Sequence, residues 1–284
     1  MRDRLLRDVF IAVALVLVGF RLLSIAPWDQ SVDAFAYWST RSGDLYAGST
    51  GGIGAYLYSP AYAQVISPIT GLAWPIFNAI WTGLGCYLLW WMAGRWALLT
   101  LLFLPIPFEI ISGNVHLLFA AVIVVGFRAS PAWAIILLTK VTPGVGLVWF
   151  LVRREWRALA WTGLSTIAVV AVSYLAAPNL WQDWFKLLSA DAGRPLVSVG
   201  WFVPIPLLPR LIVALLVVAW GGLTDRYWTV PIAVTIALPV LWLNGLAVLV
   251  AILPMMEAKR ARPEGETGQE SGAAHLIRSR IAHA

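Results

Sequence analysis

In a chain otherwise poor in charge, one short stretch holds the residues best suited to chemistry. From Pro27 to Pro60 it reads PWDQSVDAFAYWSTRSGDLYAGSTGGIGAYLYSP, with Asp29, Asp33, Arg41 and Asp44 inside it. Ser31 can cap a short helix here, its side-chain oxygen taking an orphan backbone N–H. In that helix Asp33, Tyr37 and Thr40 fall at i, i+4 and i+7 and share one face. Val32, Phe35 and Ala36 fall on the other, suited to lying against a membrane surface. The polar face is predicted to carry the chemistry, with Asp33 as its base. The same stretch also fits a connecting loop held by interfacial aromatics, since Trp and Tyr gather at membrane interfaces.

Other polar groups stand at or inside apolar runs. Lys140 sits in the middle of PAWAIILLTKVTPGVGLVWFLV, just before a Pro-Gly break at Pro143. An ionisable group within a span costs at least ~2.5–3.5 kcal/mol on insertion scales, so Lys140 is predicted to be functional rather than a snorkelling lysine. Glu109, Asn114 and His116 flank an SGN junction between two apolar runs. A helix-packing histidine bonded to a neighbour is the plain alternative for His116, and Glu109 reads the same way. Arg194 and Asp191 fit a solvated loop pair, and Asp44 in GDLYAG fits an ordinary turn. There is no His/Cys/Asp cluster with metal-ligand spacing. The single cysteine, Cys86, lies in an apolar run and reads as a small core residue.

These residues are positioned by a membrane protein. The chain is 60% hydrophobic and 12% charged, with 17 Trp, whereas a soluble domain carries about 25% charged residues. Long apolar runs recur and no alternating strand pattern is visible, so the spans are helical and the fold is all-α polytopic. The net charge of +6 comes from basic residues at span ends and is no nucleic-acid signal.

The spans are predicted in order. The first runs from Val9 to Ala26, a pair follows as Tyr56 to Leu72 and Pro75 to Ala93, and then come Trp96 to Ile111 and Gly113 to Phe127. Pro131 to Val152, Trp161 to Ala176, Pro206 to Trp220 and a hairpin within Trp228 to Pro254, turning near Pro239 to Asn244, complete them. Arg2, Arg4 and Arg7, the Arg153–Arg157 run and Lys259, Arg260 and Arg262 are predicted cytoplasmic, which puts Asp33 outside. There is no small-residue cleavage site after the first run, so it is read as a span. Residues 1–256 form the membrane domain, with a first outer loop over 27–60 and a second, amphipathic one over 177–204. In the second, Trp181, Trp184, Phe185 and Leu188 form an interfacial stripe. Residues 257–284 read as a disordered cytoplasmic tail.

An ordered set of features then carries a resemblance. An aspartate stands early in the first outer loop, Tyr-Ser-Pro opens the next span (YLYSPAYAQVISP), Gly-Asn-Val-His opens a later one (GNVHLLFAAVIVVGFR), and a Lys-x-x-Pro run ends in basic and aromatic residues (LLTKVTPGVGLVWFLVRREWRAL). Over roughly residues 10–255 the chain resembles the membrane glycosyltransferases of family 87, of the GT-C fold. Many of these are similar to polyprenyl-phosphate-mannose-dependent α-mannosyltransferases of cell-envelope glycolipid assembly. The resemblance implies a bundle of about 8–10 transmembrane helices with amphipathic outer loop helices. It also implies a plasma-membrane enzyme whose active site faces outward. Asp33 matches by place the acidic residue that serves the family as catalytic base, Lys140 its lysine near the lipid phosphate, and His116 a position where a polar amide is usual. The family often has a Trp followed by His near its last spans. Here Trp242 is followed by Leu243 and Asn244, and the chain is short for the family.

The chemistry implied is transfer of a sugar from a lipid phosphate, with inversion. The departing phosphate is already anionic and needs no general acid, whereas the acceptor hydroxyl needs a base. Asp33 supplies it, and its carboxylate is expected to stay ionised at neutral pH beside Arg41 or Lys140. Lys140, Arg194 and Arg41 are the candidate cations for the phosphate. Tyr37 is expected to orient Asp33 or stack on sugar, and Asn114, His116 and Asp44 complete the substrate contacts. The partners are the polyprenyl-phosphate donor, a glycolipid or glycan acceptor and the bilayer, with no nucleic acid and no cofactor beyond the lipid-linked co-substrate. Two other classes fit the same residues: a non-catalytic shortened relative that binds lipid or an assembly partner, and a lipid or small-molecule transporter with Pro-broken helices.

Overall fold

The computed structural model describes residues 2–23, 31–42, 44–46, 54–191 and 203–260. The first helix, α1 (Arg2–Leu22), starts earlier than the apolar run because Arg and Leu at its start are good helix formers. The segment after α1 forms α2 (Val32–Trp38) and a 3-10 turn over Ser39–Ser42. Then come α3 (Pro60–Thr70) and α4 (Trp74–Ala93), each with Pro in its first turn, where a missing N–H costs nothing. The middle of the chain folds into α5 (Ala97–Thr100), α6 (Pro105–Ser112) and α7 (His116–Gly126). It continues through α8 (Trp133–Thr139), a 3-10 stretch over Thr142–Leu147 and α9 (Val148–Val152). The rest is α10 (Trp156–Ala176), α11 (Pro178–Asp191), α12 (Leu207–Leu223), α13 (Thr229–Ile236), a 3-10 stretch over Leu243–Ala251, and α14 (Ile252–Arg260). The described residues contain no β-strand, and the protein is an all-α polytopic membrane protein.

Two helical stretches, Trp74–Thr100 and Trp156–Ala176, are long and apolar enough to cross a membrane. The pair α6 and α7, bent by 108°, makes a third if counted as one span. Against the expected 8–10 crossings, most of the remaining apolar sequence lies in shorter helices such as Ser130–Thr139, Thr142–Val152 and Leu207–Leu223. The cause is punctuation: Pro105, Pro131 and Pro143 each stand at the start of a helix or 3-10 stretch, since Pro removes an N–H and clashes one turn back.

Burial sorts the helices. α7 is apolar on every side and nearly all of it is buried, which places it at the centre of the bundle. α10 is also largely apolar but buries only Thr162 and Ser173. Its exposed Leu164, Ile167, Val172 and Leu175 are a surface that lipid, not water, tolerates. α8 is fixed by Trp133, fully buried, whose ring occupies space left by Gly126 and Gly146; a Cβ on either glycine would strike it. The predicted hairpin turn near Pro239 to Asn244 is present as the irregular link between α13 and the stretch Leu243–Ala251. The predicted stripe from Trp181 to Leu188 lies on α11, with Trp181 buried and bonded to Ser173 while Phe185 and Leu188 stay exposed. The tail beyond residue 260 lies outside the described residues.

Candidate active site

The site is built where three backbone breaks meet. The first is the sharp bend between α6 and α7. A break inside an apolar core leaves orphan carbonyls and amides, and each must find a partner. Here the carbonyls are taken by side chains from elsewhere. Arg21, at the end of α1, donates to Ile111 at 2.9 Å and Ile110 at 3.5 Å; Ser31 donates to Ile111 at 3.1 Å; and Trp81 donates to Gly113 at 2.7 Å. On the other side Glu109 Oε1 accepts the amides of His116 (2.6 Å) and Leu117 (3.4 Å), and Asn114 Oδ1 accepts that of Val115 (2.8 Å). Glu109 therefore caps α7, and carboxylates are favoured at that end of a helix.

Gly113 makes the bend possible. Its φ is +70°, and a Cβ there would lie 2.6 Å from the Ala34 Cβ of α2. The helix that carries Asp33 thus rests directly on the bend. Gly113→Ala should strain the backbone and push α2 away. Misplacing a reacting group by about 1 Å can cost on the order of 10²-fold. Turnover is expected to fall at least tenfold, while the detergent-solubilised protein keeps its elution profile and helical content. Wild-type turnover in this variant would mean that α2 need not be held so closely.

The second break falls at Lys140, between α8 and the 3-10 stretch. Its Leu138 carbonyl accepts from Ser59, and Thr142 donates to Ala237. The Tyr-Ser-Pro motif now has a physical reading. Ser59 caps α3 by accepting from Tyr62 N and also ties down the Lys140 break; Pro60 starts the helix; Tyr58 packs against Lys140. The third break is the link before Leu243–Ala251, which delivers Asn244.

The side chains converge. Asn244 Nδ2 donates to Glu109 Oε2 at 3.0 Å and to Ser112 at 3.1 Å. His116 Nδ1 stands 2.9 Å from Glu109 Oε2, and Lys140 Nζ lies 3.2 Å from His116 Nε2. Lys140 also lies 5.6 Å from the Tyr58 ring and 5.9 Å from that of Phe119, within cation–π range. The Tyr58 and Tyr37 hydroxyls are 3.1 Å apart, and Tyr37 donates to Asn114 Oδ1 at 3.4 Å. Asp33 closes the group. Burial raises its pKa, and the charge of Glu109 pushes the same way. Lys140, a hydrogen bond with Asn114 and His116 pull it back. A groove lined by Trp81, Thr82 and Gly85 of α4 and by Leu117 reaches Glu109 and Asn114 from the side.

Of the sequence candidates, Asp33, Tyr37, Asn114, His116 and Lys140 are thus brought together. Arg41 is exposed and lies over the Trp38 ring at 4.3 Å, so its guanidinium is engaged at the rim rather than beside Asp33. Asp44 is exposed, a few residues beyond Arg41. Arg194 lies outside the described residues. Ser31 is the residue before α2, yet its hydroxyl does not cap the helix; the Ile111 carbonyl takes it. Thr40 leaves the predicted face because the helix tightens to 3-10 after Trp38, and its hydroxyl bonds to the Tyr37 carbonyl. On the opposite face Val32 is exposed, but Ala36 is buried and Phe35 packs edge-on against Trp74, so only part of it is free to meet lipid. Asn244 and Ser112 are not among the sequence candidates; Asn244 stands just after Trp242, near where the family often has a histidine.

The profile of glycosyltransferase family 87 matches residues 56–264. The match contains Glu109, Asn114, His116, Lys140 and Asn244 and begins after Asp33. No curated protein and no solved structure matches the chain.

Proposed function

Because the chain belongs to glycosyltransferase family 87, we propose that it moves a sugar, mannose by the family's resemblance, from a polyprenyl-phosphate donor to a cell-envelope glycolipid or glycan. The reading places a GT-C-like bundle in the plasma membrane, with the site open to the outer face. The observation that supports it best is the meeting of a half-buried carboxylate and a lysine from segments more than a hundred residues apart, beside the buried Glu109.

In the reaction, the acceptor oxygen attacks the anomeric carbon. Its proton passes to Asp33, and the anomeric C–O bond to phosphate breaks, the electron pair leaving with the phosphate. Attack opposite the leaving group inverts the centre. Lys140 stands as the fixed cation for the charge that grows on the phosphate, already in place before reaction. Tyr37 is buried against Tyr58, Tyr62 and Trp81, so instead of stacking on sugar it backs the site, with its hydroxyl bonded to Tyr58 and Asn114. Isolated membranes given labelled polyprenyl-phosphate mannose should pass label to envelope lipid. Failure with every envelope acceptor would leave the non-catalytic lipid-binding partner as the reading.

The orientation is tested separately. Asp44 is exposed on the outer segment, so Asp44→Cys should react with a membrane-impermeant maleimide added to intact cells. Labelling only after the cytoplasmic side is opened would reverse the topology.

A further inference from the structure

We infer that Glu109 and Asn244 are positioning residues that act through His116, fixing its tautomer and so the direction in which Lys140 presents its protons. The inference rests on the proposed role of Lys140 at the donor phosphate.

Glu109, His116 and Asn244 are 1%, 0% and 4% exposed, so none of these bonds is shared with bulk solvent. Glu109 Oε1 is occupied by two backbone amides and Oε2 by the Asn244 amide. Surrounded by N–H donors, the carboxyl group is an acceptor at every contact. His116 Nδ1, 2.9 Å from Oε2, must then carry a hydrogen and donate it. That leaves Nε2 with its lone pair, facing Lys140 Nζ at 3.2 Å. An ammonium has only protons to give, so it donates to Nε2. The opposite tautomer would set N–H against ammonium and lone pair against carboxylate at once. The arrangement therefore runs one way, from Lys140 through His116 to Glu109, with Asn244 holding the far oxygen.

The consequence falls on Lys140. One of its three protons is committed to His116, and the Tyr58 and Phe119 rings bound two further sides. The remaining protons are directed to the Asp33 side, where an incoming phosphate would meet them. A helix cap alone would not need His116 in this register, nor Asn244 on the second oxygen. The ordering of the outer groups by buried partners is the same logic by which a carboxylate sets a metal-bound histidine's tautomer, here applied to a lysine.

The tautomer can be read directly. The chain has three histidines, and the other two, His275 and His283, lie in the tail. Changing both to Gln leaves His116 as the single signal in 15N-histidine-labelled protein reconstituted in membranes. The expected form carries its proton on Nδ1, and Glu109→Gln, whose amide can donate, should move it to Nε2. A wild-type ring protonated on Nε2, or one unchanged by Glu109→Gln, overturns the inference whatever the enzyme's substrate proves to be.

Kinetics supply the second readout. Glu109→Gln keeps a carbonyl oxygen for the helix cap and should lower kcat/KM for polyprenyl-phosphate mannose roughly tenfold, about one charge-assisted hydrogen bond. In a His116→Gln background the same change should alter it by less than about twofold, because the pathway is already cut. Equal losses in both backgrounds would mean that Glu109 serves only as a cap. A wild type that transfers nothing would count against the proposed activity, while the tautomer experiment still decides this inference.

Discussion

Replacing Asp33 with asparagine should abolish sugar transfer and leave donor binding nearly intact. The amide keeps the size of the carboxylate but cannot take a proton from an acceptor hydroxyl. Positioned proton transfer is worth on the order of 10²–10⁴ in rate, so turnover should drop by at least that much. Affinity for the polyprenyl-phosphate donor should change little, because Lys140 remains. A loss confined to kcat is the mark of an interaction made only in the transition state. The pH profile carries a second check. Burial and Glu109 hold the Asp33 pKa above its ordinary 3.8. The active form is the ionised one, so wild-type activity should fall as pH falls through that raised pKa, with the acid limb above the usual carboxylate range. An Asp33→Asn protein that transfers sugar at the wild-type rate ends the assignment of Asp33 as base.

Asp33 and Lys140 stand out as candidates in the sequence because charge is costly in an apolar chain, and the structure brings the two near each other. The sequence also showed the apolar runs, the amphipathic pattern of α11 and the break before Leu243. What it did not show depends on where breaks meet in space. Glu109 and Asn244 are 135 residues apart, and nothing in either local context says that one will bond the other. That pairing exists only because the α6–α7 bend and the link before Leu243 arrive at the same place. Ser31 illustrates the same limit at short range. As the residue before a helix it has the right type for a cap, yet a carbonyl orphaned by a distant bend was the stronger claimant. Arg41 has the right charge for a phosphate but found a Trp ring first. Local rules name what a side chain can do; the tertiary breaks decide which option is used.

Lys140→Met is the companion experiment, and its effect should fall on the donor. Methionine is close in length and apolar, so it suits a half-buried position beside Tyr58 and Phe119. Folding should survive, since the tie from Ser59 to the Leu138 carbonyl and the packing of Trp133 do not involve the ammonium. What disappears is the positive charge. A charge-assisted hydrogen bond to phosphate contributes about 1.5–3 kcal/mol, so donor affinity should weaken by roughly tenfold to a hundredfold. Charge growing on the departing phosphate would lose its counter-charge too, and kcat should fall further, on the order of 10²-fold. The variant also removes the cation that holds the Asp33 pKa down. With that pull gone, the acid limb of the pH–rate profile should move to higher pH than in the wild type. An apolar replacement at a merely snorkelling lysine would do neither. Unchanged donor binding together with an unmoved acid limb would separate Lys140 from both the phosphate and Asp33, and leave it a lysine that packs on Tyr58.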